Sequence, residues 1–178
     1  VSVVRLRRNY GKAAALAAGF YYAPDGWVVT LDADLQDEPA EIPRFIAKLQ
    51  EGCDLVVGWK KVRHDPWHKT IPSHIYNAVV CRLFGLQLHD INCGFKAFRH
   101  EVLGHLPLYG GMHRLIPVFA ARAGFRVAEI PVRHHRRRFG VSKYGFSRFI
   151  RGTADVLTVY ALGHGGAGRG LRAVAGAS

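Results

Sequence analysis

An α/β domain with parallel crossovers is the fold class that the sequence predicts. Three observations carry it. Short β-branched runs stand at Trp27-Val28-Val29-Thr30-Leu31 and Asp54-Leu55-Val56-Val57-Gly58, segments of helical period alternate with them, and Gly or Pro punctuates the joints. With 178 residues, 49% of them hydrophobic, the chain has enough apolar material for one core of ordinary size. That excludes a wholly disordered chain or a collagen-like fibre. Cys53, Cys81 and Cys93 are too few and too scattered for a disulfide framework or a thiolate zinc site, which points to a reducing compartment. No apolar run reaches the roughly 18 residues that a membrane span needs, and no signal-peptide pattern opens the chain.

The elements follow in order. Val3, Val4 and Leu6 give Val1 to Leu6 a short strand pattern, which reads as an interior strand beginning mid-domain. Asn9-Tyr10-Gly11 makes a turn, and the alanine-rich stretch from Lys12 to Tyr22, with Leu16 and Phe20 four apart, predicts a helix. After the Asp25-Gly26 turn, Trp27 to Leu31 is expected as a buried strand stopping at an acidic loop. Pro39 suits an early helical position, Ile42, Phe45, Ile46 and Leu49 recur at helical spacing, and Gly52 ends the helix. Asp54 to Gly58 is the next strand. Lys60 to Lys69 is basic, polar and broken by proline, hence a loop. Ile71 to Phe84 is expected as an amphipathic helix with a stripe of Ile75, Val79, Val80 and Leu83. His113 to Ala123 is a further helix candidate. Val127 to Val132 is a strand with Ala128, Ile130 and Val132 on one face, and a helix is expected from about Ser147 to Leu162. The Gly/Ala-rich stretch from Gly163 to Ser178 has no apolar period and is expected to be disordered.

Charge is unevenly placed. The net charge is +12, yet six of the thirteen acidic residues fall between Asp25 and Glu41. From Arg126 to Arg151, eight lysines and arginines face a single acid, Glu129. This asymmetry implies an anionic partner: nucleic acid, a lipid headgroup or a phosphorylated substrate.

Three clusters carry chemistry. In Leu31-Asp32-Ala33-Asp34-Leu35-Gln36-Asp37 a strand ends directly in carboxylates two apart, which in extended backbone point the same way. Strand carboxyl ends are where open α/β sheets bind ligands, and paired carboxylates are hard ligands suited to Mg²⁺ or Mn²⁺ shared with phosphates. Asp37 and Glu38 also suit the cap of the following helix. In Asp90-Ile91-Asn92-Cys93-Gly94-Phe95-Lys96, Asp90 could orient a substrate or accept a proton and Lys96 could hold an anion; Cys93 reads as a buried filler. The third cluster, His134 to Gly145, mixes Arg136, Arg137, Arg138, Ser142 and Lys143 with glycines, the usual phosphate partners. No P-loop, no G-x-G-x-x-G fingerprint and no zinc spacing occurs. Asn9-Tyr10-Gly11-Lys12 opens a helix, where amides and Lys12 could meet a phosphate.

Taken in order, Arg8-Asn9-Tyr10-Gly11-Lys12, Asp32-Ala33-Asp34-Leu35-Gln36-Asp37-Glu38-Pro39, Asp90 to Lys96, His113-Arg114-Leu115-Ile116-Pro117 and Gly140-Val141-Ser142-Lys143-Tyr144-Gly145 resemble the polyprenyl-phosphate (dolichol-phosphate mannosyltransferase-like) branch of glycosyltransferase family 2. The resemblance runs from Val3 to about Leu162. It implies a GT-A fold, a mainly parallel nucleotide-binding sheet with helices on both faces. It further implies a divalent ion on Asp32 and Asp34 with Gln36 joining, Asp90 as base or orienter, and Asn9, Gly11 and Lys12 beside the nucleotide. Arg114, Arg136, Ser142 and Lys143 would hold phosphates of donor or acceptor, on the rim of the cleft containing Asp32 and Asp90. The implied reaction is inverting transfer of a hexose from a nucleotide-sugar to a polyprenyl phosphate, on the cytoplasmic side of an anionic membrane and without nucleic acid.

The family's opening I-P-x-Y-N-E-like strand and the second strand ending in D-D-G-S are absent. The resemblance therefore implies a partial GT-A domain over 1–162, with its first strands missing, and a tail over 163–178. Two rivals stand beside transfer to a lipid phosphate by the intact enzyme. One is a non-catalytic fragment, and the other a same-fold transferase acting on a polysaccharide, although the Q-x-x-R-W-like motif of such enzymes is not found. A nucleic-acid-binding domain is the distant alternative, and it leaves the Asp32 and Asp34 pair unexplained.

Overall fold

The computed structural model describes residues 1–61, 67–135 and 146–164. Four strands, β1 (Trp27–Thr30), β2 (Leu55–Trp59), β3 (Lys96–Arg99) and β4 (Val127–Pro131), form one sheet in the order β1-β3-β2-β4. β3 runs antiparallel to both neighbours, with Thr30 and Val57 each opposite Lys96, while β2 and β4 are parallel with Val57 opposite Glu129. Three strands thus point one way and the third in sequence is reversed between them. The sheet is mixed, with a single directly bonded parallel pair among the described strands, where a mainly parallel one was expected. The cause is β3 itself. Lys-Ala-Phe-Arg has no β-branched residue and basic ends, and it becomes a strand because tertiary pairing on both sides supplies its ladder.

The sheet's centre is dry. Leu55, Val56 and Val57 of β2 and Ala97 and Phe98 of β3 are fully buried. β1 is the opposite: an edge strand whose Trp27 is 46% exposed, not the buried strand expected. Val1 to Leu6 forms no strand either. Val1, Val3 and Val4 lie exposed, and a β-branched run with no partner edge has no ladder to hold it.

Helices close the core. α1 (Lys12–Tyr21) starts at Gly11, whose φ of 89° suits glycine, and sends Phe20 edge-on to Phe98 at 5.4 Å. A 3₁₀ turn, Pro39–Glu41, leads into α2 (Ile42–Gln50), whose Phe45 and Leu49 are fully buried and whose Phe45 stacks on Phe95 at 4.2 Å. The cap of this turn is Glu38, accepting the Ala40 N–H. Asp37 does not share that role; it is buried in the site below.

α3 (Trp67–Phe84) starts earlier than expected, so Trp67 to Lys69 are helical rather than loop. Its buried face is also rotated from the expected stripe. Asn77, Val80, Cys81 and Phe84 are buried, whereas Ile75 (57%), Val79 (50%) and Leu83 (38%) are exposed. α4 (His100–Leu103), a 3₁₀ turn at Met112–Arg114, α5 (Ile116–Arg122) and α6 (Phe146–His164) complete the fold. The expected helix over His113 to Ala123 is therefore split at Leu115, where Pro117 enters as an early residue of α5. α6 runs two residues past the expected end, and the expected tail otherwise falls on 165–178, outside the described residues. Two apolar clusters result. One joins the sheet to α2 and α5, and the other holds α3, α5 and α6 together through Val80, Phe84, Ile91, Val118, Val156 and Val159.

This topology positions the site. The carboxyl ends of β1, β2 and β4 and the amino end of the reversed β3 lie on one edge of the sheet. Four separate loops, around residues 32, 60, 92 and 134, are thereby gathered there.

Candidate active site

Asp32 follows β1 and sits where three segments meet. Lys12, the first residue of α1, donates from Nζ to Asp32 Oδ1 at 2.6 Å, with both side chains 37% exposed. On its other side the Asp32 carboxylate rests on Gly94: a Cβ there would lie 2.5 Å from Oδ2, so no larger residue fits without displacing the carboxylate. Thr30 Oγ1 fastens the same loop by donating to the Gly94 carbonyl at 2.8 Å. Asp34 Oδ1 accepts the Gln36 N–H at 3.3 Å across a tight turn. Between them Leu35 has φ 60°, the positive-φ non-glycine residue among the described ones, a conformation costing about 1–3 kcal/mol. Gln36 donates from Nε2 to the His135 carbonyl at 3.1 Å and lies 3.4 Å from His134 Nε2, so the acidic loop is tied to the segment after β4. The backbone repeats that tie, with His135 N–H donating to Gln36 O at 2.8 Å.

Beneath this loop lies a buried charged layer. The Asp37 carboxylate stands 3.3 Å from Lys60 Nζ and 3.8 Å from His134 Nδ1, and the Asp37 and His134 side chains are 1% and 5% exposed. Burial alone would raise the Asp37 carboxyl, but the His134 imidazole and the Lys60 ammonium outweigh it and hold the group below its usual range. Lys60 is shifted up in turn: burial opposes its charge, and its electrostatic coupling to Cys93, Asp37 and Asp90, with the Asp37 hydrogen bond, prevails.

Asp90 is 1% exposed, and Asn77 of α3 reaches it, its Nδ2 lying 3.5 Å from Asp90 Oδ1 and donating to the His89 carbonyl at 3.0 Å. Asn92 donates to Asn77 Oδ1 at 3.1 Å. Asn92 also lines one small cavity with Lys12, Asp32, Lys96 and His113. Lys96 is fully enclosed and donates to the Cys93 carbonyl; burial pulls its ammonium down to about 8. Burial pushes the Cys93 thiol up to about 11, so Cys93 is a filler and not a nucleophile at neutral pH.

The expected site residues fare unequally. Lys12 and Asp32 are in direct contact, Asp34 and Gln36 occupy the same loop, and Asp90 lies one turn away on the loop that contributes Asn92 and Gly94. Asn9 acts locally, its Oδ1 accepting the Gly11 N–H at 2.9 Å to shape the entry to α1. Arg114 is placed at α6 instead: a Cβ at Gly152 would fall 2.6 Å from its Nη1, and its charge acts on Tyr76 and Asp155. Arg136, Ser142 and Lys143 lie outside the described residues. A wider, shallow groove between Glu41, Arg44 and Arg133 contains none of the expected metal ligands.

Among the described residues, no group of three or more His, Cys, Asp or Glu side chains is arranged to enclose a metal. Asp32 and Asp34 nevertheless fit a divalent ion completed by a ligand's phosphates. Their donors are hard oxygens, and Asp32 already holds a cation, the Lys12 ammonium.

The model described as glycosyl transferase family 2 matches residues 1–107, more than half of the chain. The chain belongs to glycosyltransferase family 2. The chain is 40% identical over 161 residues to the dodecaprenyl-phosphate galacturonate synthase of Rhizobium johnstonii, covering 88% of the chain and 48% of that protein. It thus spans about half the length of the curated relative. Its fold matches glucosyl-3-phosphoglycerate synthase from Mycobacterium tuberculosis in complex with Mn²⁺, uridine-diphosphate-glucose and phosphoglyceric acid, with a TM-score of 0.64 at 22% identity over 89% of the chain and 57% of that structure. The Mg²⁺ and uridine-diphosphate complex of the same synthase gives 0.61 at 21% over 88% and 56%. These likenesses establish the GT-A fold expected of the chain.

Asn77, Lys60 and His134 are not among the site residues that the sequence of this family member suggests. Each sits in a segment assigned to another purpose: an amphipathic stripe, a loop, a basic run. The signal that could have found Asn77 is its position on the helix face shared with Val80, Cys81 and Phe84, three, four and seven residues on.

Proposed function

We propose that the protein carrying this chain transfers a sugar from a nucleotide-sugar to a polyprenyl phosphate. The observation that carries the reading is the convergence of Lys12, Asp32 and the Asp90–Gly94 loop on one edge of a GT-A sheet. The Rhizobium relative, named for synthesis on a dodecaprenyl phosphate, supports the acceptor class, and the uridine-diphosphate-glucose complex of the fold relative supports the donor class.

Asp32 and Asp34, with Gln36 beside them, would hold Mg²⁺ or Mn²⁺, which when bound neutralises charge on the leaving diphosphate. Lys12 stands at the same carboxylate and is placed to meet a donor phosphate. Asn9 and Gly11 shape the loop that would lie beside the nucleotide. A phosphate monoester is largely dianionic at neutral pH, its second pKa being near 6, so the acceptor needs no strong base. Asp90 orients it and takes a residual proton; the buried Asn77 contact fixes the carboxylate for that task. Arg136, Ser142 and Lys143 belong to the acceptor phosphate in this reading, and Arg114, seated against α6, supports that side from behind. The basic run from Arg126 onward faces an anionic membrane surface on its cytoplasmic side. Nucleic acid is no partner in this reading.

The test uses the full-length protein, radiolabelled nucleotide-sugars and polyprenyl phosphate in vesicles. Asp32→Ala and Asp34→Ala should each lower transfer by 10²-fold or more while the far-UV spectrum stays unchanged. Label appearing on a polysaccharide but not on lipid would replace the acceptor class, and full activity of either variant would defeat the metal assignment.

A further inference from the structure

The single acidic residue in the basic stretch from Arg126 to Arg151 is not at the surface. Glu129 lies in the middle of β4, opposite Val57 of the central strand, and its side chain is only 8% exposed. Such burial of a carboxylate costs several kcal/mol unless its oxygens are occupied. They are occupied, all from one turn. Glu129 Oε1 accepts the N–H of Asp90 at 2.8 Å and that of His89 at 2.9 Å. Its Oε2 lies 3.0 Å from the same His89 nitrogen and 2.8 Å from His89 Nδ1. The His89 ring is held on its other side by Trp59, stacked at 4.1 Å and 15°.

We infer that Glu129 is a positioning residue for the reaction, gathering the amides of His89 and Asp90 so that the Asp90 carboxylate is presented in one orientation. The inference rests on the function proposed above for Asp90. Two successive backbone N–H groups pointing at one carboxylate fix the two peptide planes on either side of His89, and charge-assisted bonds are about twice as strong as neutral ones. Asn77 fixes the other end of the unit, holding the His89 carbonyl. The Asp90 backbone is thus pinned from β4 and from α3, two elements that the chain places 39 and 13 residues away. Glu129 touches no expected substrate position, so it acts only through Asp90.

The test compares Glu129→Gln, Glu129→Asp and Asp90→Asn in the full-length protein. Two readouts are taken: amide hydrogen exchange, and transfer kinetics with donor and acceptor varied separately. Glu129→Gln keeps the volume and one acceptor oxygen but loses the charge. Exchange should rise about tenfold in the segment holding residues 89 and 90, with β2 and α2 unchanged. The kcat should fall about 10²-fold, the cost of an ångström-scale misplacement, while the donor KM stays within about twofold. Glu129→Asp restores the charge one methylene short and should recover part of kcat. Unchanged exchange at 89 and 90 overturns the inference, as does exchange rising throughout β4 with donor KM and kcat worsening together, which marks a structural role alone. Failure of the functional reading shows differently: Asp90→Asn then transfers at the parental rate, and the positioning role falls with it. Failure of the inference alone leaves Asp90→Asn crippled and Glu129→Gln active.

Discussion

Lys96 is the residue where burial and charge conflict most directly. Its ammonium is enclosed at the amino end of β3, and burial brings its pKa down from 10.5 to about 8. The folded value lies below the unfolded one, so between about pH 8 and 10.5 the unfolded chain holds a proton that the folded chain has released. Stability contributed by this group therefore rises with pH across that window, by about 3 kcal/mol in all. Urea denaturation of the parent and of Lys96→Met at pH 7 and pH 10 should show the parent gaining on the variant by an amount of that order. No change in the difference would place Lys96 in contact with water. Gly94 gives a second residue-scale prediction. A methyl group there collides with the Asp32 carboxylate, so Gly94→Ala should weaken Mn²⁺ binding about tenfold, read by electron paramagnetic resonance of the free ion, with the melting temperature nearly unchanged. Normal Mn²⁺ affinity in that variant would move the ion away from Asp32.

At the scale of elements, α3 offers the plainest contrast. Val80 is 1% exposed and Val79, its neighbour, is 50% exposed. Val80→Ala should cost on the order of 2 kcal/mol, and Val79→Ala about 0.5 kcal/mol or less, both measured by chemical denaturation of the full-length protein. The expected stripe gave these two residues equal standing. It failed because Asn77 lies on the buried face, where hydropathy reads it as solvent-facing, while Ile75, Val79 and Leu83 offer an equally regular apolar row. β1, β2 and β4 were legible as strands for the opposite reason, each being a run of four or five residues with β-branched content, although that content did not tell the edge position of β1 from the buried one of β2. β3 was not, since Lys96 to Arg99 has no strand signature and is organised by partners 39 to 43 and 66 to 72 residues distant. The site divides along the same line. The Asp32 loop and Asp90 could be read because carboxylates at a strand end and a glycine-bearing polar loop are local patterns. Glu129 and Lys60 meet partners from distant loops, and no local pattern carries them, whereas Asn77 is marked only by the helix face that it shares with Val80, Cys81 and Phe84.

For the whole molecule, a charge of +12 meets a site built on carboxylates. The reading of an anionic membrane predicts that the protein sediments with vesicles containing phosphatidylserine at 50 mM salt and is largely released by 500 mM, since screening shortens the reach of each basic residue. Retention at high salt would assign binding to apolar insertion, and retention on neutral vesicles would remove the electrostatic role. No helix among the described residues is long and apolar enough to cross the bilayer. The reversed strand has a consequence for how such a molecule comes into being. β1 leaves the ribosome before β2, yet its partner is β3, and β3 also stands between β1 and β2. Until Arg99 has emerged, the described chain offers β1 no neighbour, and Asp32 has no Gly94 against which to rest. Among the described strands, β1 and β2 therefore keep unpaired edges until β3 is made, and its arrival sets their pairing and the Asp32 pocket together. A pause in translation before β3 has left the ribosome exposes those edges for longer, whereas a pause after it finds the partners of the pocket already present.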